Sequence, residues 1–224
     1  MAADLLPLFP LTHVLLPAMP LPLHIFEERY RQLLRDVADV AGGLGSFGVV
    51  ALRSGTEAGR VDGAPDVAGI GTVAEILEVE AQDDGTSDVL AVGSQRFVVR
   101  RLVTEGAPYL RAEVEYLAEP DGRVAAGLED AARELMSLYD HTLQTITGRT
   151  TGAELPDDLS QLSYHLAARL PLEPHERQLL LEDPNTGERL ARLLVLLRRE
   201  VALLRATRSI AVSPSILRLS ALPN

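Results

Sequence analysis

Between Leu5 and about Tyr116 the apolar residues come in short runs that alternate with polar ones, whereas beyond "AEPDGR" they recur every three to four positions. A period of two puts successive side chains on opposite faces of a strand, and a period near 3.6 gathers them on one stripe of a helix. A chain whose period changes once, midway, separates its strands from its helices, which defines an α+β protein. With 224 residues, 46% of them hydrophobic, there is enough apolar surface for a packed core. The expected division is a β domain over residues 1–119, a helical bundle over 120–208 and a tail over 209–224.

In the first part, "LLPLF" and "LPLHIF" are apolar runs broken by proline, which cannot donate to a sheet ladder and so belongs at edges or strand ends. "EERYRQLLRDVADV" places Tyr30, Leu33, Leu34 and Val37 at helical spacing, with Glu27 and Glu28 at the positive end of the helix dipole. "SFGVVAL", "GIGTVAEILEVEA", "SDVLAVGSQRFVVRRLV" and "YLRAEVEYL" read as strands of a bent antiparallel sheet or barrel, and "AQDDGTSD" as a hairpin turn. In the second part Val124, Leu128, Leu135, Leu138, Thr142 and Ile146 are expected on one helical face. Leu190, Leu193, Leu197, Val201 and Leu204 are expected on another, and two shorter helices open near prolines. "SIAVSPSILRLSALPN" is apolar, interrupted by Pro214 and without a period.

The charge is −11 at pH 7, so a phosphate backbone is repelled unless a local basic patch opposes the field; nucleic acid is not an expected partner. Cysteine is absent, which excludes disulfides, thiolate metal ligands and cysteine nucleophiles. Every Lys-or-Arg position is arginine. Without a lysine no P-loop, Schiff-base enzyme or serine–lysine dyad can operate. Asp4 and five prolines within residues 1–22 do not suit a secretory signal, and no apolar run approaches the ~20 residues of a membrane span. A soluble cytoplasmic protein with no membrane partner is the expectation.

"GLGSFG", Gly43 to Gly48, matches the dinucleotide fingerprint in letters, but a helix is expected before it and a strand after it, the reverse of what pyrophosphate binding requires. His13, His24, His141, His165 and His175 show no metal-binding spacing. His24 is close enough in sequence to pair with Glu27 or Glu28, and Tyr164–His165 form a second polar pair on a helix. Ser94 follows Gly93 in a bulge-like "VGSQRF" rather than in a nucleophile elbow, and Asp83, Asp84 and Asp88 sit in turn sequence. No cofactor, metal or catalytic group is indicated.

The succession "LPLFPLTHVLLPAMPLPLHIFEERYRQLL", "FGVVAL", "GIGTVAEILEV", "GSQRFVVRRL" and "PYLRAEVEYL" closely resembles the N-terminal, substrate-binding domain of Lon proteases and its free-standing bacterial relatives. "LSYHLAARLPLEPHERQLLLEDPNTGERLARLLVLLRRE" is similar to the helical segment that leads from that domain toward the ATPase module. The resemblance implies a PUA-like β pseudo-barrel with one inserted helix, followed by a helical bundle. It further implies a non-enzymatic module that recognises unfolded or misfolded polypeptides, as adaptor to or regulator of a Lon-type protease.

The surface expected to contribute is the proline-rich edge and the helix start beside it: Met19, Leu21, Leu23, His24, Phe26, Glu27, Glu28 and Arg29. Proline stiffens such an edge and removes donors that would admit any strand. Taken one at a time, Leu21, Leu23, Ile25 and Phe26 read first as core. Other readings are a small-ligand or RNA-binding protein on a PUA-like barrel, and an enzyme built on His24 with nearby carboxylates. A further one is docking or homo-oligomer formation through the last helix, where Arg189, Arg192, Arg198, Arg199 and Arg205 make a locally basic stripe.

Overall fold

The computed structural model describes residues 4–41, 44–53, 60–61, 64–148 and 154–207, so the tail from 209 lies outside the described residues. The chain divides into two compact units, Met1–Ala118 and Glu119–Asn224.

The first unit contains β1 (Asp4–Leu11), β2 (Pro20–Ile25), α1 (Glu28–Ala41), β3 (Ser46–Ala51), β4 (Arg60–Val61), β5 (Ala64–Pro65), β6 (Ile70–Ala81), β7 (Ser87–Val103) and β8 (Arg111–Tyr116). β4 and β5 form a separate small ladder; the others run in the order β2-β7-β6-β3-β1-β8, and β8 also pairs with β7. The last pairing closes β7, β6, β3, β1 and β8 into a ring. Closure is possible because β7 is 17 residues long: Ser87–Val92 pair with β2, and Phe97–Val103 pair with β8 on the same side. A register shift opposite Thr72–Ala74 bends the strand between these two stretches, which is what a bulge does.

Two expectations about the strands change. The sheet is mixed, since β1 and β3 are parallel; β2 and α1 supply the crossover that a parallel pair needs. β1 is also not an edge, despite Pro7 and Pro10. Its first half, Asp4–Pro7, pairs with β8 and its second half, Leu8–Leu11, with β3, so each proline meets a registered strand on one side only. β2 is an edge, as its prolines require.

Alternation in the strands builds two apolar clusters. Leu6, Leu8, Val50, Val73, Phe97, Ala112 and Val114 form one. Phe9, Leu21, Ile25, Phe47, Val49, Ile76 and Val89 form the other, together with Tyr30, Leu33 and Val37 of α1. A polar tie fixes α1 as well: Tyr109 donates its hydroxyl to Asp36 Oδ2 at 2.6 Å, and Gln32 donates to Oδ1 at 2.6 Å. These bonds hold Asp36 below the ordinary carboxylate range, while burial first, and then Asp36, push Tyr109 up to about 12. Because the Asp36 value is depressed on folding, its contribution is complete above the unfolded carboxylate value and is lost as pH falls through the folded one. Tyr109→Phe is expected to cost about 1 kcal/mol near pH 7, with the difference from the parent shrinking below about pH 4, as read from urea unfolding across pH.

The second unit comprises α2 (Leu128–Thr147), α3 (Leu159–Arg169), α4 (Pro174–Glu182) and α5 (Thr186–Thr207). Asp158 caps α3 by accepting from Gln161 N–H at 2.8 Å, Pro174 opens α4, and Gly148 ends α2 at φ 70°, a conformation open to glycine. Leu190, Leu193, Leu197, Val201 and Leu204 are all buried. The α2 face is shifted from expectation: Ala132, Met136 and Tyr139 are buried, whereas Leu128, Leu135, Leu138, Thr142 and Ile146 are only partly so and Val124 precedes the helix. No helix among the described residues is long and apolar enough to cross a membrane.

Candidate functional site

The register of β2 on β7 decides what the proline-rich edge can do. Gly93 N–H donates to Met19 O at 2.9 Å, and the partners that follow are Leu21↔Ala91, Leu23↔Val89 and Ile25↔Ser87. In an antiparallel ladder bonded and non-bonded pairs alternate. Leu21, Leu23 and Ile25 therefore bond to β7, and Pro20, Pro22 and His24 turn their backbone groups to the open edge. The two prolines fit because those positions need no N–H toward β7. Their carbonyl oxygens remain, so the edge offers acceptors at Pro20, Pro22 and His24 and a donor only at His24.

Side chains divide the same way. Leu21 and Ile25 are buried in the cluster beneath α1 and Leu23 packs against it, so Leu21 is a core residue and not part of an exposed surface. Met19 also packs against that cluster from a partly buried position. Pro20, Pro22 and His24 lie on the outer face with Leu90 beside Pro22, and Phe26 immediately after the strand is 62% exposed. His24 pairs with neither Glu27 nor Glu28. Its Nδ1 lies 2.7 Å from Asp88 Oδ1, across the register, and its ring stacks near Phe26 with centroids 6.2 Å apart.

Glu27 and Arg29 are bonded to each other, Nε to Oε2 at 2.8 Å, while Arg29 lies over the Tyr30 ring at 4.6 Å. The Glu27 carbonyl accepts from Tyr30 and Arg31 N–H and starts α1. Glu28 accepts from Arg35 at 2.7 Å, which holds its carboxyl below the ordinary range. Beside this region Arg31, Leu34, Ala38, Leu44, Ile76 and Val79 line an apolar hollow of about 300 Å³ between α1 and the β6–β7 hairpin.

The remaining chemical candidates resolve into structure. In "GLGSFG" Gly45 immediately precedes β3 and Gly48 lies within it, so a strand follows and not a helix, while Gly43 lies outside the described residues; Ser94 Oγ donates to Val73 O at 3.4 Å within the bulged ladder. Asp84 accepts from the Thr86 hydroxyl at 2.7 Å and its N–H at 2.9 Å, closing the hairpin turn. Among the described residues no three metal-ligating side chains converge. His165 is held below its ordinary value chiefly by burial and then by Arg169.

Of the basic stripe of α5 only Arg189 is internal; Arg192, Arg198, Arg199 and Arg205 are exposed, Arg192 and Arg199 in ion pairs. Arg189 is fully buried; Arg192 bonds Asp183 at 2.9 and 3.0 Å; Arg199 bonds Glu176 and Glu200. A hollow of about 590 Å³ lies between α4 and α5 around Leu179, Ala191 and Val195, and its charged neighbours Glu176 and Arg192 are held by these same pairs.

Among the described residues the strands form a ring that leaves β2 as an open edge. Residues 5–199 match the family described as the ATP-dependent protease La (LON) substrate-binding domain, and the chain belongs to that family. It is 32% identical over 196 residues to Lon protease 2 of Syntrophobacter fumaroxidans, covering 84% of this chain and 23% of that protein. It is 30% identical over 210 residues to the Lon protease of Escherichia coli strain K12, covering 92% and 26%. The chain thus spans about a quarter of the length of these relatives. The Lon N-terminal domain protein from Xanthomonas campestris superposes with a TM-score of 0.63 at 29% identity, over 86% of this chain and 98% of that one. The N-terminal domain of Mycobacterium avium complex Lon protease, at 19% identity and TM-score 0.60 over 87% and 98%, shares the fold.

Proposed function

We propose that this chain is a non-catalytic recognition module that holds unfolded or exposed apolar polypeptide segments and serves proteolysis as an adaptor or regulator of a Lon-type protease. The observation that carries the reading is the open β2 edge with Phe26 exposed at its end, in a chain of the Lon substrate-binding family. The absence of lysine supports the non-catalytic part, since a P-loop and a serine–lysine dyad both need one. A cytoplasmic setting suits the reading, and the acidity of the chain works against RNA.

The test is an anisotropy titration of a labelled, permanently unfolded polypeptide, with a folded protein and a short RNA as controls. Saturable binding of the unfolded chain alone is expected; no binding of it overturns the reading. Phe26→Ser places the surface. Because Phe26 is exposed, stability should hold, while loss of one aromatic contact lowers affinity about tenfold. Unchanged affinity removes the site from this edge. Glu27 and Arg29 are less informative targets, since each is the other's partner.

A further inference from the structure

We infer that the outer face of β2, β7 and β6 selects a particular class of segment: extended apolar stretches flanked by arginine or lysine. This deepens the polypeptide-binding reading and rests on it. The register places three rows side by side, Pro20–Val92–Glu75, Pro22–Leu90–Glu78 and His24–Asp88–Glu80. The middle of that face is apolar: Pro22 is exposed, Leu90 is 38% exposed, and Leu77, at the register shift between Ile76 and Glu78, is 55% exposed. Along its β6 side stand Glu75, Glu78 and Glu80, all exposed, and among the described residues no ion pair reaches any of the three. Asp88 differs, being bonded to His24 and to Gln82.

The open edge adds the second half of the argument. Pro20 and Pro22 present carbonyl oxygens with no N–H between them, so an added strand finds partners for its donors and almost none for its acceptors. Ordinary strand addition satisfies both. An occupant that brings surplus donors is favoured, and guanidinium and ammonium groups are donors with no acceptor. Carbonyl oxygens on the rim and unpaired carboxylates on the face thus attract the same chemistry, while Leu90, Leu77 and the prolines accept the apolar residues between the cations. Exposed charge pairs are individually weak, so the effect comes from several acting together.

The experiment uses the whole chain and three labelled unfolded polypeptides of one apolar sequence, flanked by arginine, by glutamine or by glutamate. At low salt the arginine version is expected to bind about tenfold tighter than the glutamine version, from two or three exposed pairs, and the gap should close as salt rises. The triple variant Glu75→Gln, Glu78→Gln, Glu80→Gln should remove most of the preference, leaving the part the rim carbonyls supply, and should not weaken the glutamine version. A second triple variant, Asp130→Asn, Glu134→Gln, Asp157→Asn, removes as many charges from the helical unit and should keep the preference. Equal affinity for the arginine and glutamine versions overturns the inference and leaves the recognition reading standing. A preference that the first variant leaves undiminished, or that the second reduces equally, overturns its placement on this face. No binding of any of the three overturns both.

Discussion

Replacing Arg189 by alanine is expected to destabilise the helical unit by about 3 kcal/mol, while Arg198→Ala on the same helix changes stability by less than about 0.5 kcal/mol. Arg189 is fully buried. Its Nε donates to Ser163 Oγ at 2.7 Å and its Nη2 to Ser160 and Thr186 at 3.2 Å and to Glu119 at 3.4 Å, while the guanidinium lies 3.9 Å from the centre of the Tyr164 ring. Alanine leaves three hydroxyls without their donor, removes the cation from an aromatic face and opens a cavity. Each contribution is of the order of a kilocalorie. Tyr164 also donates to Glu119 at 3.1 Å, so the same cluster ties Glu119, α3 and α5 together within the helical unit. Lysine should recover only part of the loss, because an ammonium cannot stack flat on Tyr164 and reach the hydroxyls at once. Urea unfolding followed by the near-ultraviolet signal of the unit's tyrosines reads both variants; a loss in Arg189→Ala no larger than in Arg198→Ala would sink the account.

Arg189 also marks where reading the sequence runs out. Its spacing on α5 assigns it to a solvated stripe with Arg192 and Arg199, yet all three are held by groups on other segments or neighbouring turns. The only local hint is "SQLSY", where Ser160, Ser163 and Tyr164 offer hydroxyls and a ring on one side of a helix. By contrast the leucine face of α5 is legible because one period runs through it, and the 17-residue β7 because its alternation is interrupted only at the bulge. The α2 face is misplaced because Ala132 and Met136 fill it and large aliphatics flank it, so hydrophobic bulk points to the wrong stripe. Sequence proximity offers His24 only Glu27 and Glu28, whereas its partner Asp88 lies 64 residues away and strand register alone brings them together. The edge is legible in part, because Pro20 and Pro22 cannot donate and so take positions of β2 that need no N–H toward β7; which side chains turn inward is set by the packing of Leu21 and Ile25 into the core, and only the structure shows that.

The segment that precedes β2 sets the second large effect: Gly93→Ala is expected to cost the strand unit about 3 kcal/mol, at the upper end for overpacking. Val14, Leu15, Leu16 and Pro17 are all buried, and this stretch is clamped to the sheet by the Thr72 hydroxyl donating to Leu15 O at 2.7 Å and by Ala18 N–H donating to Gly93 O at 2.8 Å. The chain passes so close over Gly93 that an added Cβ would sit 2.2 Å from Leu16 O and 3.0 Å from Leu16 C. Both are backbone atoms in a crossing pinned on either side, so neither can rotate away as a side-chain tip would. Relief requires lifting the crossing, which loosens the bonds that set the start of β2. Gly69→Ala is the matched control, with nothing within 4 Å of the new methyl. Calorimetry should show a much lower transition for the first variant and little change for the second, and equal transitions would refute the packing argument. Because the crossing fixes where Pro20 begins, Gly93→Ala should also weaken polypeptide binding under conditions where the unit is still folded. Unchanged affinity there would mean that the open edge is not what the polypeptide contacts.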